Sequence, residues 1–176
     1  MNWSDSVLSL IDTRSFTNLW FWIMLAVVWS GTTHFILGVP FDMVQRARRQ
    51  GGAAQQDLEA LVAIQARRRV QILAASGVWL VALWATLIST VAVLGFWYGH
   101  ELAQALTLLM APLTLASGLG IRLAQALAAP DCPSGEALTK RLSWHRVVIQ
   151  AIGLLAILVT TMWGTWHNLS ARALGG

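Results

Sequence analysis

Residues 70–100 read VQILAASGVWLVALWATLISTVAVLGFWYGH and follow directly on Arg67-Arg68-Arg69. The stretch holds no Asp, Glu, Lys or Arg. About 20 apolar helical residues, at about 1.5 Å each, cross about 30 Å of hydrocarbon. A charge-free run of this length predicts a membrane-spanning helix. Three further windows have the same character: 15–41, 102–121 and 147–170. One such run fits inside a soluble core; four in a chain of 176 residues do not.

Composition agrees. Hydrophobic residues make up 56% of the chain and charged ones 11%, with a mean hydropathy of +0.60. A water-soluble domain carries about a quarter charged residues. The expected fold is all-α: a polytopic, antiparallel four-helix transmembrane bundle in one domain. Its spans fall at about 17–39, 74–98, 102–122 and 147–167, with a helical linker over 41–70 and a loop over 125–144.

Charge orients the spans. Arg46, Arg48, Arg49, Arg67, Arg68 and Arg69 lie between the first two, and Arg122, Lys140, Arg141 and Arg146 between the last two. Only Arg14 and Arg172 lie on the opposite side. Basic residues collect in cytoplasmic loops, so both linkers are expected inside and both termini outside. A net charge of +4 then reflects topology, and nucleic acid is not an expected partner. Trp20, Trp22, Trp97, Tyr98, Trp163 and Trp166 fall at the outer boundary, where amphipathic rings settle among headgroups, and Trp144 at the inner one. No secretory leader is expected: residues 1–11 lack a basic start, and no small-residue cleavage site follows.

Gly51-Gly52 divides the first linker. Residues 41–50 predict a short basic helix, and 53–69 a helix that continues into the second span. Leu58, Leu61 and Val62 recur along one side of it and are candidates for docking another protein. Trp29, Trp79 and Trp84 are candidates for the same role within the membrane. Arg46, Arg48, Arg49, Arg67, Arg68 and Arg69 are placed to meet lipid headgroups. Ser134 is a candidate N-cap for a helix leading into the fourth span, and residues 2–11 predict an interfacial helix. Pro112 is expected to kink the third span.

Catalytic signatures fail. The chain has no phosphate-binding loop, no dinucleotide fingerprint, no H-E-x-x-H and no nucleophile elbow. Cys132 stands alone, so no disulfide or zinc framework is expected. No enzyme activity, metal or cofactor is expected. His34, after the small polar run Ser30-Gly31-Thr32-Thr33, reads as a neutral partner in an interhelical hydrogen bond. The four histidines suggest a rarer alternative. His100 with His167 on one side, and His34 with His145 on the other, sketch a haem b-binding electron carrier. Their depths match poorly: His100 lies in a turn and His145 at a boundary, whereas axial ligands must share a depth across the macrocycle. Thr86, Ser89, Thr90, Gln104, Thr107, Ser117, Gln150, Thr160 and Thr161 could instead line a pathway in a small oligomeric transporter, though such groups more often bond their own helix. The small-residue run Ala116-Ser117-Gly118-Leu119-Gly120 reads as a helix-packing face.

Arg14-Ser15-Phe16-Thr17-Asn18-Leu19-Trp20-Phe21-Trp22, Gly38-Val39-Pro40-Phe41-Asp42-Met43-Val44 with Arg46-Ala47-Arg48-Arg49, and Leu94-Gly95-Phe96-Trp97-Tyr98-Gly99 together resemble a family of small four-span proteins from alphaproteobacteria of the Rhodobacter and Paracoccus type. The resemblance covers most of the chain and implies a bacterial inner membrane. Members are functionally unassigned, and some carry a label linking them to iron–sulfur cluster assembly. One cysteine cannot hold such a cluster. The expected function is a non-catalytic accessory or scaffolding subunit of a larger inner-membrane complex, respiratory or photosynthetic, with lipids and other membrane subunits as partners.

Overall fold

The structure, a computed structural model, describes residue 16, the backbone of residues 19–174 and their side chains to residue 170. The interfacial helix expected over residues 2–11, and Arg14, lie outside the described residues. Five helices and one two-residue β-pair make up the fold among those residues: α1 (Leu19–His34), β1 (Phe35–Ile36), β2 (Val39–Pro40), α2 (Phe41–Gln50), α3 (Gly52–Phe96), α4 (Glu101–Ala128) and α5 (Gly135–Leu174). The protein is all-α. Helices α3, α4 and α5 are long and apolar enough to cross a membrane.

The first helix is shorter than its charge-free window. It ends at His34, after 16 residues, or about 24 Å at 1.5 Å per residue. Leu37 and Gly38 then adopt φ of 56° and 85°, a tight hairpin turn that pairs Ile36 with Val39. Two consecutive left-handed residues define the hairpin turn whose twist matches its strands. Hydropathy cannot register this break, because the hairpin is as apolar as the helix. Pro40 then stands as N-cap of α2, whose bounds are those expected. Gly51, at φ 61° and ψ −153°, separates α2 from α3.

Helix α3 is one uninterrupted element of 45 residues, about 67 Å long. Its first third, α2, the β-pair, the end of α4 and the start of α5 form a compact head. The head core is Ile36, Leu37, Val39, Val44, Ala47, Leu58, Val62, Ala66, Leu123, Ala124, Leu127, Leu138 and Leu142. Leu58 and Val62 meet residues of α2, α4 and α5 because the three-to-four spacing of 58, 62 and 66 places all three on one helix face. Arg146 stacks its guanidinium over the Phe41 ring at 3.9 Å and so joins α5 to α2.

The start of α5 is closed by a carboxylate from another helix, not by Ser134. Glu59 of α3 accepts the Gly135 N–H at 2.7 Å and the Gln55 amide at 2.9 Å. Gln55 also donates to the Gly135 carbonyl at 3.2 Å. A carboxylate is stabilised at a helix N-terminus by the orphan N–H groups and the macrodipole. The Gly135 N–H first, and the Gln55 amide second, hold the Glu59 carboxyl below its ordinary value. A lowered folded-state value contributes stability that is complete above the unfolded value and is lost as pH falls through the folded one. Head stability should therefore decline below about pH 4.5. Protease protection of the head measured from pH 7 to pH 3 should be flatter in Glu59→Gln than in the wild type. Parallel curves for the two proteins would mean that Glu59 does not close α5.

The other half of the structure is packed differently. Leu25 and Trp29 of α1, Leu109 and Ala116 of α4, and Ile149 and Ala156 of α5 form its main core. No residue of α3 belongs to it. Helix α3 lies against α4 as one arm of an antiparallel hairpin, joined by a turn at Gly99 (φ 74°). None of its most apolar 18-residue window is buried. The expected four-helix bundle is, among the described residues, a three-helix cluster with α3 laid along α4. Val78, Trp79, Val81 and Leu83 are 61–82% exposed. In water, burying such a face would gain about 25 cal/mol per Å²; an apolar surroundings removes that penalty. Pro112 lies within α4, which runs on through it.

Candidate functional site

At the turn end, three helices are tied together by Gln104. Its Nε2 donates to the Gly95 carbonyl of α3 at 2.9 Å, and its Oε1 accepts the Trp163 indole N–H of α5 at 3.0 Å. Buried amides need both ends satisfied, and this one is. Beside it, Glu101 Oε1 accepts the Phe16 N–H at 2.8 Å, while its other oxygen lies 3.8 Å from His167 Nε2. The Glu101 side chain is only 12% exposed. The Phe16 ring packs on Gly164, where an added Cβ would stand 3.0 Å from it. The Trp22 indole donates to the Phe16 carbonyl at 3.2 Å. Glu101 and Gln104 were not marked out together by spacing. The available signal was a carboxylate opening a helix directly after a tight turn.

Elsewhere in the long helices, hydroxyls return to their own backbone. Thr32, Thr33, Thr86, Thr90, Thr107, Thr160 and Thr161 each donate to the carbonyl four residues earlier. A hydroxyl bonded in this way is satisfied without reaching a neighbour. Trp84 is an exception: its indole donates to Thr114 Oγ1 of α4 at 2.8 Å.

The candidate residues are distributed as follows. Leu58 and Val62 are buried in the chain's own head, and Leu61 packs at its margin. They do not form a free docking face in this conformation. Trp29 is buried against α5, where a Cβ at Gly153 would come within 2.8 Å of its ring. Trp79 and Trp84 remain on the surface, Trp79 at 79% exposure. Arg46, Arg48, Arg49, Arg67 and Arg68 are exposed, whereas Arg69 is half-buried. The Arg67 Nε donates back to the Ala63 carbonyl at 3.2 Å.

The four histidines of the alternative haem layout are placed as follows. His34 is exposed, with its ring edge-on to Phe35 at 4.8 Å, and makes no interhelical hydrogen bond among the described residues. His145 lines a different cleft from His34. His100 is exposed at the start of α4, and His167 faces Glu101.

A cleft lined by His145 lies beside the head. It has a volume of about 480 Å³, between α1, α4 and α5, with Arg69 of α3 entering it. Thr32 and Ser117 contribute hydroxyl groups, and Val27 and Phe35 an apolar wall.

These features define a class: a helical protein with, among the described residues, three helices long and apolar enough to span a membrane and a compact head at one end. No protein-family model, curated protein or solved structure matches the chain.

Proposed function

We propose that this chain is a non-catalytic accessory or scaffolding subunit of a larger bacterial inner-membrane complex. In this reading the chain crosses the membrane four times, the short α1 making its crossing where the bilayer thins to match its 16 residues. The head is cytoplasmic and both termini are periplasmic, because ten of the twelve basic residues lie on the head side. Reporter fusions at Met1 and after Gly176 should read periplasmic, and those at Gly51 and Ser134 cytoplasmic. A cytoplasmic C-terminus together with a periplasmic Gly51 would defeat the topology.

The observation that carries the subunit reading is the isolation of α3. Polar side chains at the turn end are closed on one another, while the apolar half of α3 lies along α4, meets α5 through Phe96 edge-on to Trp163 at 5.3 Å, and leaves Val78, Trp79, Val81 and Leu83 exposed. Helix association in lipid depends on shape and hydrogen bonding rather than on hydrophobicity. Trp79, exposed on α3, offers a large ring and an indole N–H for that purpose. A photo-crosslinking residue at position 79, followed by gentle extraction, should join this chain to one defined membrane protein in fixed ratio. Crosslinks to lipid alone would sink the reading.

A further inference from the structure

We propose that the cleft between α1, α4 and α5 is a binding site for one phosphate group, and that its occupant is the headgroup of an anionic phospholipid. This goes beyond the subunit reading and does not rest on it. Arg69 is the key residue. Three arginines follow one another at 67, 68 and 69, and successive helical positions are rotated by about 100°. Arg67 and Arg68 therefore point outward, and only Arg69 is turned toward the cleft. Its guanidinium rests over α4, where a Cβ at Gly120 would stand 3.7 Å from Nη1.

No carboxylate pairs with Arg69 among the described residues, whose ion pairs are Lys140–Glu136 and His167–Glu101. A charge moved partly out of water needs compensation, and arginine remains charged at any pH of interest. The missing counterpart is an anion. A guanidinium fork matches a phosphate with two parallel hydrogen bonds. His145 and Ser117 line the same space with further hydrogen-bonding groups, the Thr32 hydroxyl beside them already donating to the Val28 carbonyl. Val27 and Phe35 line it too, so the wall that receives the phosphate continues into one that suits an acyl chain. A soluble phosphate has no use for that wall. Basic pockets between helices at a membrane boundary commonly hold anionic headgroups.

The test uses the full chain in phosphatidylcholine nanodiscs containing a small fraction of phosphatidylglycerol, with native mass spectrometry counting the lipids that remain bound. One phosphatidylglycerol per chain is expected. Its occupancy should fall about ten-fold in Arg69→Ala, the loss of one charge-assisted contact, and stay unchanged in Arg67→Ala. Should Arg69→Ala fail to fold, Ser117→Leu decides: it narrows the cleft from an exposed position without altering charge, and should also reduce occupancy. Three outcomes overturn the proposal. They are an equal loss in Arg67→Ala, which would mean diffuse attraction; equal retention of phosphatidylcholine; and displacement by millimolar inorganic phosphate, which would make the occupant a free anion.

Discussion

Leu58→Ser combined with Val62→Ser is expected to open the head while leaving the long apolar helices formed. Both side chains are fully buried, Leu58 at 0% and Val62 at 1% exposure. Truncating a buried Leu or Ile costs about 2–5 kcal/mol through lost transfer energy and residual cavity. The two sites are one turn apart on the same face and share partners, so their effects will not add fully. Even so, at least about 4 kcal/mol should be lost, most of what a small apolar core supplies. Serine hydroxyls can bond back to the helix, which limits the further cost of burying them. Trypsin, acting on the arginines of α2 and early α3, reads the result. Cleavage there should accelerate by about 700-fold or more, since each 1.4 kcal/mol is a factor of ten in the open population. Ile64→Ser, on the exposed side of the same helix (55% exposed), should change little. Wild-type protection in the double variant would mean that Leu58 and Val62 are available to another protein after all.

The same residues show what could be read without coordinates. Their spacing marked an apolar face on a polar helix, and that inference holds. The occupant of the face could not be read, because Leu138, Leu142, Val44 and Leu127 are as apolar as any foreign partner would be. Charge-free windows, the Gly51-Gly52 break and the bounds of α2 were legible because each rests on local chemistry. The end of α1 was not, since Leu37 and Gly38 reverse the chain by backbone angle rather than by polarity. Nothing in the sequence around Glu59 singles it out. Its role depends on Gly135, 76 residues away, which no local pattern encodes. Arg69 was grouped with Arg67 and Arg68 as a headgroup contact, and only the helical phase, fixed by what the rest of α3 buries, separates it from them. His34 differs for the opposite reason: the small polar run before it reaches the cleft through Gly31 and Thr32, while the His34 ring is exposed.

Gly95→Val is expected to separate the α3–α4 hairpin at its turn end. In a solvated helix, replacing glycine by alanine is ordinarily favourable by about 0.8–1 kcal/mol. At Gly95 the sign should reverse. A Cβ there would lie 2.7 Å from the Gln104 nitrogen and 2.9 Å from the Ala103 carbonyl carbon. Both are backbone atoms of α4, so no side-chain rotation relieves the contact. The helices must move apart, and the Gln104 amide then loses the Gly95 carbonyl that it meets at 2.9 Å. Overpacking costs about 1–3 kcal/mol, and a lost interhelical bond in lipid adds about 0.6 kcal/mol. Gly95→Ala should lose roughly 1–2 kcal/mol on this reckoning and Gly95→Val more, since its two methyls deepen the clash. Because Gln104 also accepts the Trp163 indole, the disturbance should reach α5 and shift the Trp163 fluorescence, a readout that a purely local loss would not move. Gly118→Ala supplies the control, since a Cβ there meets nothing within 4 Å and should be neutral or stabilising. Reversible unfolding in bicelles orders the three proteins. If Gly95→Ala proves as stable as Gly118→Ala, the close approach of α3 and α4 is not what holds the hairpin together.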